Sequence, residues 1–220
     1  MFPSIRDGLD YCVADGRTVF LDLEADRYFC LPIEIDDAFQ AWVAAGCKPH
    51  LPDETHTALS AAGIIEQTER WATKRPCRST TPSKSIRSER AERPEFGTVA
   101  EVVASEFVCR WATRSGRLSY VIRKVRAERE TKPRHPRNDA DIETCARHFQ
   151  DSLLFVASKD RCLSRSLALV RYLFRRGHQA DLVLGVRMMP FRAHAWVQFG
   201  ETLLIDTLEN VLPYTPILVI

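Results

Sequence analysis

The sequence lacks several features that are typical of membrane, secreted and metal-binding proteins. Its longest apolar run lies near 41–47, far short of the roughly 20 residues that a membrane helix needs. Arg6 and Asp7 stand where a signal peptide carries its apolar segment. The seven cysteines form no Cys-x-x-Cys pair, which argues against a zinc ribbon or a dithiol redox site. We therefore expect a cytoplasmic protein with no membrane insertion and no metal, in which most cysteines are small core residues.

A glycine-rich phosphate-binding loop is also missing, so no nucleotide cofactor is predicted. Basic residues are scarce in the first third of the chain: residues 1–66 contain twelve acidic and four basic side chains, a net charge of −8. The remainder carries +10, which gives the overall +2. Opposite charges of this size indicate two modules with separate roles. Binding of nucleic acid by the first module is disfavoured, because phosphate contacts need basic residues.

Residues 1–70 are predicted to form a small unit of strands followed by helices. Apolar alternation at 9–13 and 17–23 flanks Asp15-Gly16, a typical hairpin turn, and a third short strand covers 28–31. Apolar residues at helical spacing then predict one helix ending at Gly46 and another from Asp53, with Ile65 on its apolar face.

Residues 71–94 are predicted to be a flexible basic linker. The stretch from 70 to 94 has three prolines, seven Ser or Thr, eight basic residues and few large apolar side chains. Such a composition cannot bury enough surface to fold alone. The segment 95–220 is predicted to contain four amphipathic helices, the last over 160–174, and then strands at 180–187, 194–199 and 202–206.

Three residues of the second module could carry chemistry. Cys162 falls in the first turn of its predicted helix, where free N–H groups and the helix dipole stabilise a thiolate. His194 opens one strand and Asp206 ends the next. A thiol, an imidazole and a carboxylate match the logic of a nucleophile, its base and an orienting acid. In that reading the backbone N–H of Cys162 is a candidate oxyanion donor.

The loop between the last two strands decides whether His194 and Asp206 meet. A three-residue loop centred on Gly200 places the two residues directly opposite on one face, close enough for a hydrogen bond. A two-residue turn places Asp206 on the other face. Since glycine at the centre favours the longer loop with a bulge, we expect the first register.

Each of these residues also has an ordinary structural role. A single cysteine on an amphipathic helix is usually core packing, a histidine before a tryptophan usually lies at a rim, and an aspartate at a strand end usually caps a turn. A Cys-His-Asp metal site is a further option, but it lacks a fourth ligand and any short ligand pair.

The segment around these residues resembles a known family. Arg161-Cys-Leu-Ser-Arg-Ser-Leu-Ala-Leu, the strand Leu182-Val-Leu-Gly-Val-Arg, and Pro190-Phe-Arg-Ala-His-Ala-Trp-Val are similar to the B proteins of lasso peptide biosynthesis. These are transglutaminase-like, papain-related cysteine peptidases. The resemblance implies that Cys162, His194 and Asp206 form a catalytic triad. It covers about 160–206, and residues 95–159 match only loosely.

The resemblance also suggests a role for the first module, because many such proteins carry a PqqD-like precursor-recognition domain with a winged-helix fold. We therefore expect an α+β protein with a winged-helix domain at 1–70 and a papain/transglutaminase-like peptidase domain at 95–220. The family binds the precursor's leader peptide as an added strand, here along Tyr28, Phe29, Cys30 and Leu31. The implied partners are that precursor and a separate, asparagine synthetase-like cyclase that uses ATP.

Three alternatives stay open. The same fold and triad serve acyl transfer, as in arylamine N-acetyltransferases. The chain could also be a non-catalytic scaffold that presents the precursor to another enzyme, or a DNA-binding regulator, although its acidic first module disfavours the last.

Overall fold

The computed structural model describes residues 1–47, 51–69, 74–86, 96–114, 118–131, 139–153 and 161–220. The chain divides into two compact units, Met1–Arg78 and Ser79–Ile220. Both units contain helices and strands, so the predicted α+β class is confirmed. Within the described ranges, no helix has the length and apolar composition needed to cross a bilayer.

The first unit holds five strands and two helices: β1 (Phe2–Ile5), β2 (Leu9–Ala14), β3 (Arg17–Asp22), β4 (Arg27–Cys30), α1 (Ile33–Ala44), α2 (Asp53–Ala61) and β5 (Ile65–Thr68). The predicted hairpin is confirmed as β2 and β3. Asp15 and Gly16 both have positive φ, 50° and 77°, the backbone that a two-residue type I′ turn requires. Strand β4 then pairs with β3 and forms one edge of this three-stranded sheet.

Ile65 is not on a helix, contrary to the prediction. Helix α2 ends at Ala61, and Gly63 follows with φ 68°, a left-handed turn that suits glycine. The chain then enters β5, which pairs antiparallel with β1 and sets Ile65 opposite Ile5. Both side chains are buried in the core of this unit, which surrounds Phe20 and Phe39. The winged-helix assignment of the unit stays a prediction.

The described part of the second unit combines five helices with a five-stranded sheet. Its elements are α3 (Phe96–Arg114), α4 (Leu118–Thr131), α5 (Asp139–Leu153), α6 (Cys162–Arg175), β7 (Asp181–Arg187), β8 (Arg192–Phe199), β9 (Thr202–Leu203), α7 (Leu208–Val211) and β10 (Thr215–Val219), together with β6 (Lys84–Ser85). The strand order is β10-β7-β8-β9-β6. Of the described helices, α6 has the largest number of buried residues, with Leu167, Val170 and Phe174 fully enclosed. Gly177, with φ 76°, follows its end.

Part of the predicted linker belongs to the sheet of the second unit. Strand β6 pairs parallel with β9, and the Ile86 N–H donates to the carbonyl of Leu203 at 3.0 Å. Ile86 is buried, because this pairing lays it against the sheet edge. The described residues of the segment are therefore anchored where the composition predicted a flexible chain. Residues 71–73 and 87–94 lie outside the described ranges, and the predicted domain boundaries stay a prediction.

Candidate active site

Cys162 is the first residue of α6 and therefore lies in the first helical turn, as predicted. Arg161 precedes the helix in a non-helical conformation. The apolar face of α6 packs in the core, which fixes the position of its first turn. The predicted N-cap, Asp160, lies outside the described residues. Cys162 is half-buried and lines a cavity.

His194 lies in β8 and contacts Asp206. The His194 Nε2 is 2.6 Å from the Asp206 Oδ2. The other carboxylate oxygen, Oδ1, accepts hydrogen bonds from the Thr207 N–H at 2.8 Å and from the Asn210 Nδ2 at 3.0 Å. Both donors belong to the first turn of α7 or its flank, so this short helix orients the carboxylate. Because Nε2 faces Asp206, Nδ1 is the ring nitrogen left for the thiol of Cys162.

The predicted register between β8 and β9 is wrong by one residue. Phe199 pairs with Thr202 and Gln198 with Leu203, so the strands are joined by the two-residue turn Gly200-Glu201. A regular continuation would carry Asp206 to the other face. Strand β9 is only two residues long, however, and the chain bends from Leu204 onward. Asp206 therefore reaches His194 from outside the sheet, where strand alternation no longer applies.

The short β9 also opens one edge of β8 to helix α6. The Ser166 hydroxyl donates to the carbonyl of Ala195 at 2.9 Å, and the Ala195 N–H hydrogen-bonds the sulfur of Cys162. Neighbouring N–H and C=O groups of one strand residue point to the same edge. Thus α6 takes the backbone groups that a longer β9 would have paired, and this holds Cys162 beside His194.

The electrostatics of the site favour a thiolate beside an imidazolium. Burial by itself raises the pKa of Cys162, but the hydrogen bond and charge of His194 and the N–H groups of Ala195 and Leu163 outweigh it, so the pKa is lowered. Burial opposes the charged form of His194, yet Asp206 and the Cys162 thiolate raise the pKa of His194 to about 9. The pKa of Asp206 is lowered despite its burial, chiefly by the hydrogen bond from His194.

Cys162 differs in this respect from the other cysteines. Burial raises the pKa of each of the remaining six thiols, including Cys145, whose sulfur also lies near a histidine, 3.6 Å from the Nε2 of His178. The other five are Cys12, Cys30, Cys47, Cys77 and Cys109. Since the thiolate is the nucleophilic form, Cys162 is the most reactive thiol expected in the chain.

The wall behind His194 consists of residues that the sequence analysis did not single out. The His194 ring lies 5.2 Å from the ring of Tyr214 and 6.2 Å from that of Trp196, between centroids. Gly185, the partner of His194 on β7, leaves room for both aromatic side chains. The glycine within an apolar strand was the available signal in the sequence. Only the strand pairing shows which aromatic side chains occupy the space that Gly185 leaves.

A cavity of about 260 Å³ contains the thiol, the imidazole and the carboxylate. Arg161, Arg165, Ser166, Ala195 and Ile205 complete its lining. A second cavity, of about 700 Å³, shares Ile205 and Asp206 with it and extends past Ile86 and Gln150. The two cavities therefore adjoin at Ile205 and Asp206. Among the described residues, no group of three or more His, Cys, Asp and Glu side chains is placed to hold a metal.

The predicted leader-binding residues lie at the edge of the first unit's sheet. Tyr28, Phe29 and Cys30 belong to β4, and Cys30 is exposed. Phe29 stacks on Phe20, with ring centroids 5.1 Å apart, and is therefore partly committed to the core. Leu31 lies beyond the end of β4 and is buried.

Comparison with known proteins places these residues in context. The family described as the transglutaminase-like superfamily matches residues 103–219, a segment that contains all three site residues. A shorter segment is similar to the microcin J25-processing protein McjB of Escherichia coli, with 46% identity over 48 residues. That match covers 22% of this chain and 23% of the Escherichia coli protein. No solved structure matches the chain.

Proposed function

Because the chain belongs to the transglutaminase-like superfamily, we propose that it is a cysteine peptidase that cleaves the leader from the core of a lasso peptide precursor. One observation carries the proposal: the thiol with a lowered pKa contacts a histidine whose other nitrogen is held by a carboxylate. The similarity to a microcin-processing protein supports its assignment to the B proteins of lasso peptide biosynthesis.

In the first step, the Cys162 thiolate attacks the scissile carbonyl carbon and forms a tetrahedral intermediate. The backbone N–H of Cys162, at the free start of α6, is one donor available to the oxyanion. The His194 imidazolium then gives its proton to the departing amine, and the C–N bond breaks. The core peptide leaves with a free amino group, while the leader stays on Cys162 as a thioester.

In the second step, neutral His194 accepts a proton from water, which attacks the thioester carbonyl. The intermediate collapses, the carbon–sulfur bond breaks, and the leader leaves as a carboxylic acid with the thiolate restored. Asp206 keeps the Nε2–H of His194 in place and stabilises the imidazolium. No cofactor is needed for either step, since each proton passes through His194.

The leader would bind to the first unit as an extra strand along β4. An edge strand offers a row of backbone donors and acceptors, and the alternate side chains around Tyr28 and Phe29 would provide selection. Holding the leader on the same chain raises the local concentration of the scissile bond at the thiol. A cytoplasmic, asparagine synthetase-like cyclase would then join the freed amine to an acidic side chain of the core.

The decisive experiment incubates a candidate precursor with the wild type and with Cys162→Ala, and follows leader release by mass spectrometry. We expect the variant to lose cleavage while it retains leader binding. Cys145→Ala is the matched control, because it removes another half-buried thiol next to a histidine and should cleave normally. Cleavage by Cys162→Ala would contradict the proposal. Binding of the precursor without cleavage by the wild type would favour a scaffold, whereas transfer of the acyl group to an added amine, without hydrolysis, would favour an acyltransferase.

Leader docking is tested separately on the three-stranded sheet. Tyr28→Ala should weaken leader affinity in a fluorescence titration, because it removes a side chain beside the proposed docking edge. Val13→Ala is the control, since Val13 is exposed on β2, at the opposite edge. The alkylation rate of Cys162 should stay the same in both. Unchanged affinity in Tyr28→Ala would place the leader site elsewhere.

A further inference from the structure

Two arginines share the cavity with the catalytic thiol. Arg161 directly precedes Cys162 in the chain, and Arg165 lies one helical turn further along α6. Their side chains are 21% and 28% exposed, so the guanidinium groups are held by the protein but remain within reach of a solute. Neither arginine takes part in the two steps of peptide hydrolysis proposed for Cys162 and His194.

A buried carboxylate holds the two arginines together. Glu106 on α3 is only 2% exposed. Its Oε1 lies 3.5 Å from Arg161 and 3.7 Å from the Nε of Arg165. The two guanidinium groups thus share the single carboxylate of Glu106. Burying a carboxylate is costly unless it is paired, so both arginines stabilise the buried Glu106 as its ion-pair partners.

Further positive charge lies on α3 beside the two arginines. Arg110 and Arg114 follow Glu106 at four-residue intervals, on the same face of the helix. The charges of Arg114 and then of Arg161 lower the pKa of Arg110, which shows that these cations repel one another. Like charges that lie close together attract an anion.

We propose that Arg161 and Arg165 bind a carboxylate of the peptide substrate next to the bond that Cys162 attacks. A guanidinium presents paired N–H donors that match the two oxygens of a carboxylate. The proposal rests on the proposed peptidase function and adds a specificity-determining contact to it. The carboxylate belongs either to an acidic side chain near the cleavage point or to a chain terminus.

The first test uses two alkylating reagents and needs no peptide. Iodoacetate and iodoacetamide both transfer an alkyl group to the Cys162 thiolate with loss of iodide, but only iodoacetate carries a carboxylate. The ratio of their rate constants cancels changes in thiol pKa and nucleophilicity. We expect the double variant Arg161→Gln, Arg165→Gln to lower the iodoacetate-to-iodoacetamide ratio roughly tenfold, as expected for the loss of two charge-assisted hydrogen bonds.

The control is Arg175→Gln, which removes the same charge from the last turn of α6, where Arg175 pairs with Glu101. Its ratio should equal that of the wild type. Arg165→Lys, which keeps the charge, should retain most of the preference for iodoacetate and guards against loss of folding in the double variant. Equal ratios in the wild type and the double variant, with both folded, would overturn the proposal.

The second test uses precursor peptides and separates the two sources of the carboxylate. Glutamate-to-glutamine exchange near the cleavage point tests a side chain, and amidation of the C-terminus tests the terminus. We expect one of the two changes to lower kcat/KM roughly tenfold in the wild type and to have little effect in the double variant. If neither change lowers kcat/KM, the arginines do not bind a substrate carboxylate. If no peptide is cleaved at all while the alkylation ratios differ as expected, the peptidase function fails and the anion site stands.

Discussion

Replacement of Gly185 by alanine tests whether the wall behind His194 positions the imidazole ring. A Cβ at Gly185 would lie 2.7 Å from two ring atoms of Trp196 and 3.1 Å from the Cβ of Tyr214. Trp196 is 1% exposed and its indole N–H donates to Gln198 at 2.8 Å, so the ring has little freedom to withdraw. Restoring an ordinary contact of 3.4 Å requires a movement of about 0.7 Å.

Overpacking of this kind costs about 1–3 kcal/mol in free energy of unfolding. In a chain of this size the cost corresponds to a fall in Tm of roughly 3–10 °C. Because the His194 ring packs on both displaced aromatic residues, we also expect alkylation of Cys162 by iodoacetamide to slow by roughly tenfold. Calorimetry measures the first effect, and the second-order rate constant measures the other.

Gly97→Ala is the matched control, because no atom of the described residues lies within 4 Å of a Cβ at that position in α3. Alanine suits a helix better than glycine by roughly 0.5–1 kcal/mol, so Tm should hold or rise. An unchanged Tm and alkylation rate in Gly185→Ala would refute the inference that this wall is closely packed and fixes His194.

Three further predictions address the site and the sheet edge. Asp206→Asn removes the carboxylate whose hydrogen bond and charge raise the pKa of His194, so this pKa should fall by about one unit or more when the ring protons are titrated by NMR; an unchanged pKa would mean that Asp206 does not control the imidazole. Ser166→Ala leaves a buried carbonyl without its partner and should lower the free energy of unfolding in urea by about 1–3 kcal/mol, with slower alkylation. Ile86→Ala should cost about 2 kcal/mol or more in the same assay if the segment is anchored at β9, and nothing if it is a free linker.

The sequence predicted correctly those helices and strands that have a strong local pattern. Asp15-Gly16 predicted the hairpin because few residue pairs accept two consecutive positive φ angles. The apolar spacing along 163–174 predicted α6 and its buried face, which placed Cys162 in the first turn. The prediction that Ile65 lies on a helix was wrong because its spacing fits a helical face as well as a strand. Only the turn at Gly63 and the pairing with β1 show that it belongs to a strand.

The sequence by itself determined which chemical groups are available: a cysteine at a helix start, a histidine on a strand and an aspartate shortly after it. The tertiary structure decided whether they meet. The observed register of β8 and β9, if continued, would place Asp206 on the face away from His194. The two residues meet because β9 stops after two residues and the chain bends toward the ring. Two further features depend on residues that are far apart in the chain: the pairing that anchors Ile86 and the burial of Glu106 between two arginines. The spacing of residues within one segment cannot predict such contacts.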